Sequence, residues 1–183
     1  MRNLFLILLL TSAYIFPSRS QTFKDSRDQK VYKTVEIGNQ VWMAENLKYK
    51  MAGSFCFDKV QAYCDTFGYL YTYKAASKAC PAGWHLPSKA EFMELINYLG
   101  GMEKAGASLI KGGKSGFDAL LGGDYTSDND FFYGIGRHTS FWSSTIANAE
   151  DAFTMEIHEE DYSLAVYQNL FENGYYVRCL KNK

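Results

Sequence analysis

Neither sign of charge prevails in this 183-residue sequence: 19 lysines and arginines stand against 20 aspartates and glutamates, a formal net charge of −1. That balance removes the positive field on which non-specific nucleic-acid binding relies, so DNA and RNA are excluded as partners. Other absences narrow the chemistry. The longest apolar run, Leu4 to Phe16, contains Thr11 and Ser12 and falls short of the roughly 18 to 20 residues that cross a bilayer, so no permanent anchor is expected. No C-x-x-C pair occurs, and His85, His138 and His158 have no ligand spacing, which argues against a zinc site. No serine stands in a Gly-x-Ser-x-Gly elbow. Gly113-Lys114-Ser115 ends like a phosphate loop, yet Ser108 occupies the required earlier glycine and no buried strand precedes it. The chain also lacks the apolar poverty of a disordered protein: 47% of residues are apolar and 21% charged, enough to build a core.

What is present begins with an export segment. Arg2 supplies a positive start, Leu4 to Leu10 an unbroken apolar core, and Pro17 a break before the small residues Ser18 and Ser20, the layout of a secretory signal peptide over residues 1–20 with cleavage after Ser20. No cysteine lies near the cleavage point, so a lipoprotein anchor is not expected. Residues 21–30 are polar and read as a flexible N-terminal arm, leaving 31–183 as one domain. Losing Arg2 and Arg19 takes the 19 basic residues to 17 against an unchanged 20 acidic. The expected destination is the cell surface, the periplasm or the medium. In such oxidising surroundings the four cysteines, Cys56, Cys64, Cys80 and Cys179, are expected as disulfides, and four allow three pairings. Cys56 and Cys64 flank a short segment, whereas Cys80 and Cys179 are far apart; a bridge closing a loop near 100 residues stabilises by up to about 4.7 kcal/mol.

Along the domain, Val31 to Ile37 and Gln40 to Met43 alternate around Gly38-Asn39 and read as a β-hairpin with Trp42 inside. Leu70 to Ala79 reads as a short helix. Ser88-Lys89-Ala90-Glu91 is a capping box, and Phe92, Leu95, Ile96 and Leu99 form one stripe of a second helix stopped by Gly100-Gly101. Ten of the 15 glycines fall between Gly100 and Gly136, which reads as a long loop region carrying function. Short strands follow at Ser140 to Ser144, Ala152 to His158, Leu164 to Gln168 and Tyr175 to Leu180. Two short helices among antiparallel strands make the expected class α+β.

Two constellations are candidates for ligand contact. Calcium needs several converging oxygens, and Asp124, Asp128 and Asp130 with Asn129 can supply them, helped by Glu150 and Asp151, although EF-hand spacing is absent; no other cofactor is expected. Aromatics make up 16% of the chain, and Tyr125, Phe132, Tyr133 and Trp142 beside Arg137 and His138 form a candidate stacking surface for a sugar or peptide. His85, between Trp84 and Leu86, reads as a packed, hydrogen-bonded residue rather than a base.

The run ACPAGWHLPSKAEFMELINYLGG (79–101), preceded by IGNQVWMAENLKY (37–49) and LYTYKAA (70–76) and followed by FWSST (141–145) and YVRCL (176–180), resembles the Fibrobacter succinogenes major paralogous domain. The resemblance implies a secreted bacterial module without an assigned activity. The order Cys80, Gly83, Leu86, Glu91, loop region, Cys179 is also similar to the C-type lectin-like fold; that likeness implies the pairing of Cys80 with Cys179. The Glu-Pro-Asn and Trp-Asn-Asp triplets of calcium-dependent lectins are missing. Three readings follow: an exported binding module whose loops recognise an extracellular glycan or surface protein; an oxidase like the formylglycine-generating enzymes, which share the lectin-like fold and use a reactive cysteine pair; or a purely structural envelope protein.

Overall fold

The computed structural model describes residues 21–183; the expected signal peptide, 1–20, lies outside the described residues. In chain order the elements are β1 (Gln21–Lys24), β2 (Val31–Ile37), β3 (Gln40–Met43), β4 (Ser54–Phe55), α1 (Gln61–Phe67), β5 (Leu70–Tyr71), α2 (Tyr73–Ala76) and β6 (Trp84–His85). Then come α3 (Lys89–Tyr98), α4 (Met102–Leu109), β7 (Gly122–Thr126), β8 (Phe131–Ile135), β9 (His138–Ile146), β10 (Asp151–His158), β11 (Leu164–Leu170) and β12 (Leu180–Lys181). The class is α+β with antiparallel strand pairing, as expected, but the described residues hold four short α-helices rather than two.

The principal sheet runs β1-β2-β3-β12-β6. The β2–β3 hairpin turns where expected, with Gly38 at φ +62° and Val35 opposite Trp42. Residues 21–30, expected as an arm, contain the paired strand β1. β1 pairs along β2, Phe23 packs on Trp84 with ring centroids 5.1 Å apart, and Asp25 is fully buried, its carboxylate accepting from the Arg27 guanidinium at 2.7 Å. A polar composition concealed this because one half-buried phenylalanine and one satisfied aspartate suffice to anchor a short edge strand. β9, β10 and β11 form a second antiparallel sheet, and β7–β8 a separate hairpin.

α3 begins at the capping box: Ser88 Oγ accepts from the Glu91 N–H at 3.2 Å while Glu91 Oε2 accepts from the Ser88 N–H at 2.8 Å. Phe92, Leu95 and Ile96 are buried, meeting Trp42, Phe117 and Phe141 in the main core. The expected helix at 70–79 shrinks to α2, since Leu70 and Tyr71 pair with β4, and α1 occupies the segment read as a cysteine loop. Within 100–136 the loop reading holds only for 110–121; α4 and the β7–β8 hairpin fill the rest. Gly106, a poor helix former, hid α4. It is there because a Cβ would run into the backbone of Tyr162.

Both disulfides pair as the resemblance implied for Cys80–Cys179, with Cα atoms 5.8 Å apart across 99 residues, and Cys56–Cys64, 5.0 Å apart across 8. Among the described residues no helix is long and apolar enough to cross a membrane.

Candidate functional site

β9 and β10 place two residue pairs directly opposite one another: His138 faces His158, and Ser140 faces Glu156. β7 adds Asp124, which is fully buried. Its Oδ2 accepts from Ser140 Oγ at 2.7 Å, and His138 Nε2 lies 3.1 Å away, off the line of a good hydrogen bond but within ion-pair reach. His158 Nε2 is 2.9 Å from Glu156 Oε1, and the two imidazole centroids are 6.0 Å apart. Burial works against protonating His138, but the contact with Asp124 and the nearby charge of Glu156 outweigh it, so its pKa is raised. Burial, reinforced by the Asp124 charge, likewise raises Glu156 above the ordinary carboxylate value. His138 and Glu156 therefore both bind a proton more tightly than the free groups do. The neighbouring Tyr133 hydroxyl is pushed up to about 12 by burial and the same two carboxylates, so it remains an O–H donor.

Above this cluster stands β8. Strand alternation sends Phe131, Tyr133 and Ile135 to one face, exposed at 58%, 39% and 36%. The Phe131 and Tyr133 rings lie 9° from parallel with centroids 6.4 Å apart, an apolar ledge open to solvent. Tyr133 also leans on the His138 ring at 5.0 Å, which connects ledge to cluster. Phe132 points the other way, with Tyr125, against Phe55 and Phe57.

Three cavities run in succession past the ledge. The first, about 200 Å³, has Arg178 in its lining. The second, about 440 Å³, is bordered by Ile110, Leu121, Ile135 and Tyr162 and shares Phe67, Lys111 and Leu120 with the first. The third, also about 440 Å³, shares Glu159 with the second and is lined by Arg137, His138, His158, Glu160 and Asp161. They adjoin through these shared residues, the middle one largely apolar and the outer two lined by charged side chains.

Of the residues singled out from sequence, Tyr133, Arg137 and His138 come together here. Tyr125 and Phe132 serve the inner face of the hairpin. Trp142 is not a surface residue: it is 0% exposed, donates from its indole N–H to the Tyr71 carbonyl at 2.7 Å, and packs edge-on against Tyr73 and Tyr175. The calcium constellation does not converge either. Asp124 turns inward to Ser140 and His138, whereas Asp128 and Asp130 stand on the exposed turn after β7, Asp130 accepting from the Tyr125 hydroxyl at 3.1 Å. Among the described residues no group of three or more His, Cys, Asp or Glu is arranged to hold a metal. His85 bridges Asn182 at 2.7 Å and Glu91 at 3.0 Å, fastening β6 to the capping box. Sequence reasoning missed Phe131, Ile135, Glu156 and His158. The period-two alternation of FFYGI carries the signal for the first two; the others depend on a cross-strand register that no local pattern encodes.

Residues 35–181 match the family model described as the Fibrobacter succinogenes major domain. No curated protein and no solved structure matches.

Proposed function

Since the chain belongs to the Fibrobacter succinogenes major domain family, we propose that it is an exported binding module that lays an extracellular glycan along the β8 ledge and the adjoining cavities. The observation that carries this reading is the parallel, solvent-facing pair Phe131 and Tyr133. Exposed apolar patches on a rigid scaffold mark interaction sites, and two parallel, solvent-facing rings offer apolar surface against which the C–H face of a sugar can pack, with Arg137, His138 and His158 at hand for hydroxyl groups.

Three further observations support the wider reading. Disulfides are the products of oxidising compartments, which agrees with export by a leader at 1–20. Chain order from Cys80 through Gly83, Leu86 and Glu91 to Cys179 supports a C-type lectin-like architecture. All four cysteines are engaged in disulfides, so the oxidase reading would have to begin by reducing one of them.

The test is retention of the protein in native gels cast with soluble polysaccharides, followed by titration with oligosaccharides of the polymer that retards it. Phe131→Ala with Tyr133→Ala should weaken binding roughly tenfold to a hundredfold while leaving the unfolding midpoint nearly unmoved, because both rings are exposed. Full binding by the double variant would refute the ledge as the binding surface.

A further inference from the structure

Arg178 is buried at 1% exposure, and its charge is not neutralised. The guanidinium donates to Asn46 Oδ1 through Nε at 3.1 Å and Nη2 at 2.7 Å, and through Nη1 to the carbonyls of Met43, at 3.2 Å, and Phe117. The rings of Phe117 and Phe141 lie 4.4 and 5.4 Å from its central carbon. Among the described residues no carboxylate is within ion-pair distance. Asp118 and Glu45 act on it only from further away, and burial draws its pKa down to about 9, which still leaves a full positive charge at neutral pH. A buried cation in that condition is costly unless something compensates it.

The cavity in front of it supplies the explanation. Lys33, Lys48 and Lys111 share its lining with Arg178, against Glu45 and Asp118, four cations to two carboxylates in a chain whose net charge is −1. The Lys33 and Lys111 ammonium groups have no ion-pair partner among the described residues, and Glu45 is already engaged by the Lys33 backbone N–H at 2.7 Å. Four of the five guanidinium N–H groups point at carbonyls or Asn46, and the planar fork retains one Nη2 hydrogen for a further acceptor. The volume, about 200 Å³, is below the roughly 300 to 1,000 Å³ of a site that encloses a whole drug-sized ligand. It suits a single charged group.

We infer that this cavity is an oxyanion site, receiving one carboxylate, sulfate or phosphate group between buried Arg178 and the ammonium groups of Lys33 and Lys111. The inference stands on Arg178 and its surroundings and does not depend on the aromatic ledge. A purely architectural Arg178, holding the Met43 and Phe117 carbonyls in place, would need neither the cavity nor the unpaired lysines.

Isothermal titration of the purified protein with sodium sulfate, sodium phosphate and sodium glucuronate, at ionic strength held constant with sodium chloride and with glucose as the uncharged control, tests it. Saturable one-to-one heat is expected with at least one anion and none with glucose. Preference for glucuronate would assign the site to an acidic sugar; preference for sulfate or phosphate would assign it to the inorganic group. Lys33→Gln with Lys111→Gln, both exposed positions, should retain the fold and weaken binding by roughly tenfold or more. Because sulfate stabilises any folded protein by exclusion, a rise in melting temperature alone does not count. Absence of saturable heat with all three anions, or equal affinity in the double variant, would overturn the site.

Discussion

The His138 imidazole fits beneath β8 only because residue 134 has no side chain. Gly134 holds φ at +77°, and a Cβ built there would lie 2.6 Å from His138 Nε2 and closer still to Nδ1 and Cε1, where ordinary contacts need 3.4 Å or more. Gly134→Ala therefore meets two separate costs. The left-handed backbone costs an L-residue about 1 to 2 kcal/mol, and forcing the ring aside adds an overpacking cost of about 1 to 3 kcal/mol. The expected loss is about 2 to 5 kcal/mol, read from urea unfolding at pH 6. The two contributions separate in a double-mutant cycle. In a His138→Ala background the steric part disappears and Gly134→Ala should cost only the backbone share, about 1 to 2 kcal/mol. An equal cost in both backgrounds, or a cost near zero in the wild type, would refute the claim that glycine is there to admit the imidazole.

The pH dependence of stability follows from the same imidazole. His138 has a folded pKa raised above its ordinary 6.5, so its contribution is complete below that value and declines as pH rises through the folded pKa; the melting temperature should fall from pH 6.5 upward, and His138→Gln should flatten that part of the profile. An unchanged slope in the variant would discount the Asp124 contact. Removing the crosslinks should be unequal in effect: Cys80→Ala with Cys179→Ala opens a loop of 99 residues and should cost about 4.7 kcal/mol, whereas opening the 8-residue loop of Cys56–Cys64 should cost about 2.5 kcal/mol. Denaturant midpoints measured in the opposite order would show that native-state packing, and not loop length, sets the worth of each bridge. Trp142→Ala is expected to remove about 3 to 5 kcal/mol of stability and to produce a folding defect rather than a selective binding defect, as circular dichroism and glycan titration on the same sample would report.

Elements with local signatures were readable from sequence alone. The capping box at Ser88 and Glu91, the Gly38-Asn39 turn and the apolar stripe of α3 each need only neighbours within about four residues, and each stands where the pattern puts it. β1 was not readable, because its partner supplies the hydrogen bonds and Phe23 finds its packing on Trp84, 61 positions away in sequence. α4 was masked by Gly106, whose purpose is tertiary. The site divides in the same way. Tyr133, Arg137 and His138 are consecutive enough to notice, yet the inward turn of Trp142 and the pairing of His138 with His158 are set by which face of β9 meets the core and by β9–β10 register. Arg178 lay in plain view within YVRCL, but nothing in its neighbours foretells that it would be buried without a carboxylate.

The position of β12 bears on how this molecule is made. It lies between β3 and β6, so the strand pairing that links the β1-β2-β3 side of the sheet to β6 passes through Leu180 and Lys181. A nascent polypeptide that has not yet delivered these residues must keep its central seam open, with Trp42 and Trp84 lacking the strand that separates them. Cys179, adjacent to that strand, then reaches Cys80 at the moment of closure, and oxidation records that assembly has reached its last step.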